Sequence, residues 1–376
     1  MRSYWDTTSW QSYDIAIIGG GIIGISTAIS CATRFPGRRI VVLERGHVPC
    51  GATTRNAGFA CFGSLSEIAH DIDIMGADAA HDLVRKRMEG LQLLLQRCTG
   101  YDIGYHADGG SEVFLHDHPA LQRCDEVNAL LADIIGEATF RERRDLRAEY
   151  QISSSAYAFM HTTHEGTLHS GRMLQALWSV AAQHGVHLRT GTEVVSIDTD
   201  STTATLHCVS PHHEIDLTCS HVVVATNAMI PTLVSSSTLP TITPGRGQIL
   251  VTAPIPSLAL RGSVHLDEGF FYVRELDGRV LIGGGRNLDF EGETTTSHDT
   301  TDRIQRALEE LLHTVILPQH NHIAIEQRWA GTMAFTETKQ PVVAAVEPRV
   351  LVAFGCNGMG VALGSSIGEA CAQLLQ

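Results

Sequence analysis

The chain has 376 residues, 43% hydrophobic and 18% charged, with a net charge of −14. That describes an ordinary globular protein with room for two joined domains. The acidic balance excludes the clustered basic surface that non-specific nucleic-acid binding needs, and no apolar run approaches the roughly 20 residues that span a bilayer.

The nine cysteines are odd in number and scattered, with no C-x-x-C, which suits reduced thiols. The opening residues MRSYWDTTSWQSY lack the basic-then-apolar order of a secretion signal, so a cytoplasmic location is expected. No H-E-x-x-H or comparable spacing occurs among the 20 histidines, and no metal site is expected.

In chain order, residues 1–13 are polar apart from Trp5 and Trp10 and predict an arm laid on the surface. From Asp14 the run DIAIIGGGIIG predicts a buried strand over 15–18, a glycine turn, and a helix from Ile22 to about residue 33. Gly19, Gly21 and Gly24 fill the three required positions of G-x-G-x-x-G. One glycine makes the tight turn, one lets the backbone approach a pyrophosphate, and one lets helix pack on strand. The helix N-terminus offers free N–H groups and a favourable dipole to the phosphates. A second strand over 40–43 ends at Glu44, about twenty residues past the last glycine, where a ribose-binding carboxylate belongs. Strand, glycines, helix, strand and acid in that order specify an adenine dinucleotide site. Glu44 repels a 2′-phosphate, which leaves FAD or NAD and disfavours NADP.

Next comes GATTRNAGFACFGS, residues 51–64, small and hydroxyl-rich with little apolar periodicity. Such a loop brings backbone N–H groups and the Thr53, Thr54 and Asn56 side chains onto phosphates or a flat ring, and Arg55 adds a cation. Residues 67–98 are helical in pattern, and the triplet Arg85-Lys86-Arg87 predicts a solvated helix face. Strand-like runs surround Gly109-Gly110, and residues 119–148 are again helical. Residues 164–175 lead into an amphipathic helix with Met173, Leu174, Leu177 and Trp178 inward. The apolar strand in HVVVATNAM ends at Ala225-Thr226-Asn227, as suits a central parallel strand facing a ligand crevice. PGRGQ at 244–248 opens an antiparallel series, with a hairpin turn at Asp277-Gly278. A helix over 302–312, the RWAG run at 328–331, a strand over 350–354 and the glycine-rich GCNGMG leading into a helix close the chain.

Together, DIAIIGGGIIG, VVLERG, GATTRNAG, EGTLHSGRML, VVVATNAM, PGRGQ, YVRELDGRVLIGGG, RWAGT and FGCNGMGVALGSSIGEA resemble the D-amino-acid-oxidase-like FAD oxidoreductases, the family of glycine oxidase and sarcosine oxidase. The resemblance spans nearly the whole chain. It implies an α/β fold in which a Rossmann-like FAD-binding domain is interrupted by an α+β substrate domain with a mainly antiparallel sheet. Residues 14–66, 164–235 and 326–376 would form the first domain, residues 67–163 and 236–325 the second. It also implies oxidation of a C–N bond in a small-molecule amine or amino acid to an imine, by hydride transfer to flavin N5. Oxygen or another acceptor would then reoxidise the flavin. The rival readings are an NAD-dependent dehydrogenase and a non-catalytic flavin- or nucleotide-binding sensor.

Carried over by position, Gly19, Gly21 and Gly24, with Ile22 and Ile23 opening the helix, would hold the pyrophosphate. Glu44, with Arg45 beside it, would hold the ribose. Ala52, Thr53, Thr54, Asn56, Ala57 and Gly58 would line the flavin and phosphates, and Val194 would meet adenine through its backbone. Ala225, Thr226 and Asn227 would border the crevice. Gly331 and the Asn357, Gly358, Met359, Gly360 turn would approach the flavin from the other side. Tyr272 stands where some relatives keep a substrate-facing tyrosine. Relatives that bind an α-carboxylate often continue W-A-G with Leu-Arg-Pro, whose arginine clamps the acid; here Met333 holds that place. An acid would then need Arg274, Arg328 or Lys339, or the substrate would be a neutral or cationic amine.

Overall fold

Two eight-stranded sheets organise the chain. In the computed structural model, which describes residues 3–136, 138–211, 213–320 and 322–375, the first sheet is built on Ser12–Ile18. Parallel neighbours flank it: Ile40–Leu43 and then His187–Arg189 on one side, Glu214–Val224 and then Val350–Phe354 on the other. An antiparallel edge, Val342–Glu347, and an antiparallel arm, Glu193–Thr199 with Ala204–Val209, complete it. The central segments 15–18, 40–43, 222–224 and 350–354 are almost wholly apolar because both faces are covered there, whereas Glu193–Thr199 and the first half of Glu214–Val224 carry polar residues that are exposed or partly exposed. The helices Ile22–Arg34, Ala77–Arg97, Ser170–Gln183 and Gly360–Leu374 bury one face around Ile17, Ile25, Leu94, Leu177 and Ile367. Each such side chain contributes about 1.5–3 kcal/mol relative to exposure.

The second sheet is mainly antiparallel, in the order Ile325–Phe335, Thr243–Thr252, Arg279–Gly284, Phe271–Leu276, Ser263–Leu266, Gly110–Phe114, Ala158–Thr162, Arg141–Glu142. Its one parallel pair joins Ser263–Leu266 to Gly110–Phe114. The helix Asp302–Leu311 covers one face of this sheet around Leu250, Val273, Ile304 and Leu308. The Asp277-Gly278 turn has φ of 49° and 76°, the double left-handed geometry that joins Phe271–Leu276 to Arg279–Gly284.

Several expectations need correction. The first strand begins at Ser12, so the N-terminal arm ends two residues earlier than its polarity suggested; Trp10 lies against His187 and Arg189. Met1 and Arg2 lie outside the described residues. The run 51–64 is not all loop: Ala52–Arg55 forms a helical turn and Phe59–Ala60 a short strand paired with Gly166–Thr167. The helical stretch 67–98 is two helices, Leu65–Met75 and Ala77–Arg97, broken at Gly76. Ala77–Arg97 packs on the first sheet's helices, and Ile325–Phe335 pairs with Thr243–Thr252 in the second sheet. Both therefore lie across the boundaries drawn from sequence.

The basic triplet is the sharpest difference. Arg85 is exposed, Lys86 is partly so, and both pair with acids of their own helix, but Arg87 is 2% exposed. Its guanidinium donates to the Phe62 carbonyl at 2.8 Å and pairs with Glu67 at 3.1 Å and Asp71 at 3.8 Å. Among the described residues no helix is long and apolar enough to cross a membrane.

Candidate active site

The carboxyl ends of the first sheet's strands open onto a cavity of about 670 Å³ that runs from the glycine turn to the second sheet. A volume of that size suits a cofactor with its substrate. At the glycine end, Ile18 leads into Gly19 and the helix starts at Ile22. A Cβ on Gly24 would stand 1.9 Å from the Gly19 carbonyl oxygen, so only glycine lets the helix sit this close to the turn. Glu44 ends the second strand with both oxygens engaged, Oε2 accepting from the Gly20 N–H and Oε1 from the Gly46 N–H, each at 2.9 Å. The Ile22 N–H donates to Thr53 Oγ1 at 3.0 Å, which ties the helix start to the turn at Ala52–Arg55.

Most of the expected cofactor contacts line this one cavity: Gly19, Gly21, Ile22, Ile23, Glu44, Arg45, Ala52, Thr53, Asn56, Ala57, Gly58, Val194, Ala225, Thr226, Asn227, Gly331, Asn357, Gly358, Met359 and Gly360. Two expected contacts do not. Gly24 acts through packing, and Thr54 turns away to donate to the Pro49 carbonyl at 2.6 Å. Asn227 adopts φ of 56° and its side chain donates to the Thr332 carbonyl at 3.1 Å, so it bridges the two sheets. Asn357 Oδ1 accepts from the Thr336 N–H at 2.8 Å and fixes the closing turn.

The lining suits a flavin dinucleotide on structural grounds. The glycine cradle admits phosphates where any side chain would obstruct it. Thr226 Oγ1 and Thr332 Oγ1 are buried hydroxyls on the cavity wall with no partner in the protein, and buried hydroxyls are ordinarily satisfied. Burial pushes the Cys356 thiol up to about 12 and Cys61 well above its ordinary value, so both cavity thiols stay protonated at neutral pH.

At the far end the cavity meets the second sheet. A Cβ placed on Gly247 would lie 3.0 Å from Met333 Cε and 3.3 Å from Tyr272 Oη, so those two side chains converge over the glycine. Burial raises the Tyr272 phenol, which stays neutral and able to donate. Of the cations named from sequence, Arg274 and Arg328 do not line the cavity. Arg274 is buried, and its Nη1 donates to the carbonyls of Leu168, Ala57 and Gly58, clamping backbone to backbone. Arg328 points to the opposite side and binds Gln305 and Glu309, each at 2.6 Å. Lys339 lines the cavity but is paired with Asp71 at 2.6 Å. The cation that sequence reading missed is Arg286, directly after the Gly283-Gly284-Gly285 run and on the cavity wall. Its signal was a lone arginine at a glycine-marked strand end.

A buried polar cluster adjoins this end. Cys61, Glu165 and His265 bring their ligand atoms within 4.8 Å of one another, and His265 Nε2 lies 3.2 Å from Glu165. Burial lowers the His265 pKa, but the charge and hydrogen bond of Glu165, with Glu112 and Glu67, outweigh it and raise the group overall. Glu112 itself is raised to about 7, chiefly by burial against opposing hydrogen bonds from Ser66. The folded protein therefore keeps a proton on Glu112 that the unfolded chain releases near 4.5, and stability falls as pH rises from 4.5 to about 7. His265 adds a loss of the same sign above 6.5. Thermal unfolding at pH 5 and pH 8 is expected to show the lower midpoint at pH 8, with a smaller difference in Glu112→Gln, whose amide imitates the neutral acid. An unchanged pH slope in that variant contradicts the assignment.

Comparison with known proteins agrees with this architecture. The family model described as FAD dependent oxidoreductase matches residues 14–374. Among curated relatives, the probable oxidoreductase OrdL of Haemophilus influenzae is 24% identical, over 98% of this chain and 84% of its own. Glycine oxidase of Geobacillus kaustophilus is 26% identical, over 97% of this chain and 93% of its own. The solved structure of L-proline dehydrogenase from P. horikoshii superposes with a TM-score of 0.79 at 19% identity, covering 97% of this chain and 94% of that one.

Proposed function

This chain belongs to the FAD dependent oxidoreductase family and uses FAD as its cofactor, and from that premise we propose that it oxidises the C–N bond of an amine or amino acid to an imine. Bound FAD would supply the two-electron acceptor for the hydride lost from the carbon beside a neutral amine, the N–H proton of the resulting iminium leaving to solvent to give the imine. The observation that carries the reading is the single cavity in which the glycine-lined end meets the Gly247, Tyr272, Met333 surface. The 26% identity to a glycine oxidase over almost the full length supports it.

The chain's residues then have distinct tasks. Gly19, Gly21 and the start of the Ile22–Arg34 helix receive the pyrophosphate, and Glu44 receives the ribose. Thr226 Oγ1 and Thr332 Oγ1 offer hydrogen bonds to polar atoms on the cofactor. Tyr272 and Met333, both partly buried on the cavity wall, bound the space for the reacting carbon, and the low-polarity surface they offer favours the neutral amine over the ammonium. Mixing the holoprotein anaerobically with amines and amino acids is expected to bleach the flavin's visible absorption with at least one class. A flavin that no amine or amino acid bleaches sinks the reading and favours a non-catalytic role.

A further inference from the structure

Three side chains of metal-ligand type meet at the cavity wall with no task yet in holding cofactor or substrate. Phe59–Ala60 pairs antiparallel with Gly166–Thr167, Ala60 opposite Gly166, so the next position on each side places Cys61 across from Glu165. The strand Ser263–Leu266 of the second sheet brings His265 to them. The Cys61 sulfur, a Glu165 carboxylate oxygen and a His265 ring nitrogen all lie within 4.8 Å of one another, and His265 Nε2 is 3.2 Å from Glu165 Oε2. Residues 61, 165 and 265 come from three separate segments, so no local spacing in the sequence records the set.

The fold makes room for the carboxylate. Glu165 is buried over Gly110, where any Cβ would overlap its Oε2. Ser263 Oγ donates to Oε2 at 2.9 Å. Oε1 is buried with no partner among the described residues, although buried polar atoms are ordinarily satisfied. A plain Glu165–His265 ion pair therefore leaves a strong acceptor unused inside the protein. The surroundings add further negative charge. Glu112 stands across from His265 in the neighbouring strand, and Glu67, which pairs with Arg87 at 3.1 Å, also acts on His265. Burial first, then Glu165 and Glu67, keep a proton on the Cys61 thiol, with Arg87 pulling the other way.

Thiolate, imidazole and carboxylate are the three ligand types of zinc. Bonds of about 2.0–2.3 Å in a tetrahedral array set the ligand atoms about 3.5 Å apart. The nitrogen and oxygen already stand near that separation, and the sulfur has little more than about 1 Å to close. As the ion binds, the thiol proton leaves to solvent and His265 ligates as the neutral imidazole. One thiolate and one carboxylate then balance a 2+ charge, which gives a neutral site suited to burial. Cys61 and His265 line the cavity and Glu165 does not, so the fourth position opens to the cavity. Three protein ligands with one open place is the arrangement in which a bound zinc meets small molecules.

We propose that Cys61, Glu165 and His265 form a binding site for a divalent cation of the zinc type, its open position on the cavity wall. The ion would stand beside Tyr272, which pairs with His265 from the adjoining strand. The site goes beyond the amine-oxidation reading and does not rest on it, because protein side chains alone hold the ion.

Zn²⁺ and Co²⁺ test it on the FAD-loaded protein after treatment with a chelator. Equilibrium dialysis with metal analysis is expected to give one tight zinc per chain, with a Kd of about 1 μM or below. Co²⁺ is expected to add ligand-field absorption to the red of the flavin bands, and a thiolate-to-cobalt band in the difference spectrum that Cys61→Ser removes. Cys61→Ser and Glu165→Gln are each expected to weaken zinc on the order of 100-fold. The exposed His207, bonded to Asp198 and Asp216, is the rival place for adventitious zinc, and His207→Gln is expected to leave the tight affinity within about twofold. Wild type that takes up no zinc at about 10 μM overturns the site without any variant. Tight binding that survives both Cys61→Ser and Glu165→Gln, or that His207→Gln abolishes, overturns it too. Should either ligand variant fail to fold, the wild-type cobalt spectrum decides: weak, oxygen-only octahedral absorption removes the site, and the thiolate band keeps it. Flavin bleaching by an amine with no zinc uptake removes the metal site and leaves the oxidation standing; zinc held through Cys61 with no bleaching does the reverse.

Discussion

Replacing Arg87 with methionine is expected to cost about 3–5 kcal/mol of stability, the range for removing one partner from a buried ion pair. Arg87 is 2% exposed, and its partners Glu67 and Asp71 have side chains only 14% and 2% exposed. The Asp71 pKa is already raised, first by burial and then by Glu67, against the pull of Lys339 and Arg87. Removing the guanidinium leaves Glu67 and Asp71 close together with only the Lys339–Asp71 pair to offset their charge, and it frees the Phe62 carbonyl from its bond to Arg87. Urea unfolding of Arg87→Met measures the loss. Arg85→Met, on the exposed face of the same helix, is expected to stay within about 0.5 kcal/mol of the parent. Arg87→Met with Glu67→Gln should recover part of the difference, because one of the stranded charges is gone. A single variant within about 1 kcal/mol of the parent contradicts the buried-network account.

Arg87 also shows which parts of this protein its sequence displays. The buried face of Ala77–Arg97 includes Leu83, Arg87, Gly90, Leu91 and Leu94, which recur at helical spacing. Arg87 sits inside that apolar stripe, one step round the helix from Lys86, so its burial was legible from periodicity and was masked by the charge of its neighbours. Arg328 was legible too. It lies an odd number of residues from Met333 in Ile325–Phe335, and alternation turns the two to opposite faces of the sheet. Arg274 was not. It shares a strand face with Tyr272, and what diverts it are the carbonyls of Ala57, Gly58 and Leu168, brought there from distant segments. The dinucleotide half of the cavity is written locally, in one strand-turn-helix-strand unit whose glycines and acid have fixed spacing. The substrate half is assembled from Gly245, Tyr272, Arg286, Met333 and Phe335 across four strands and their ends, and no local spacing records that assembly.

Glu44→Arg is expected to strip the protein of FAD while leaving it folded. The carboxylate stands on the cavity wall and bridges two backbone N–H groups, Gly20 in the glycine turn and Gly46 in the loop beyond the second strand. Arginine supplies no acceptor. Both N–H groups lose their partner, the turn loses its tie to the second strand, and a ribose hydroxyl would meet a donor where the proposed contact needs an acceptor. The turn has little room to adjust, since Gly20 is packed between Glu44 and Trp178, whose indole N–H donates to the Gly20 carbonyl at 3.0 Å. A charge-assisted bond to the ribose is worth about 1.5–3 kcal/mol, and with the glycine turn no longer held in place FAD affinity should fall on the order of 100-fold or more. The flavin-to-protein absorbance ratio after purification, followed by equilibrium dialysis against added FAD, reads this directly. Glu44→Gln keeps one acceptor oxygen and should retain an intermediate amount. Circular dichroism separates loss of cofactor from loss of fold: the far-ultraviolet spectrum of Glu44→Arg should match the parent, because the strand Ile40–Leu43 is held by its parallel neighbours on both sides and not by this side chain. A purified, folded Glu44→Arg protein with stoichiometric FAD is incompatible with a ribose-binding role for Glu44.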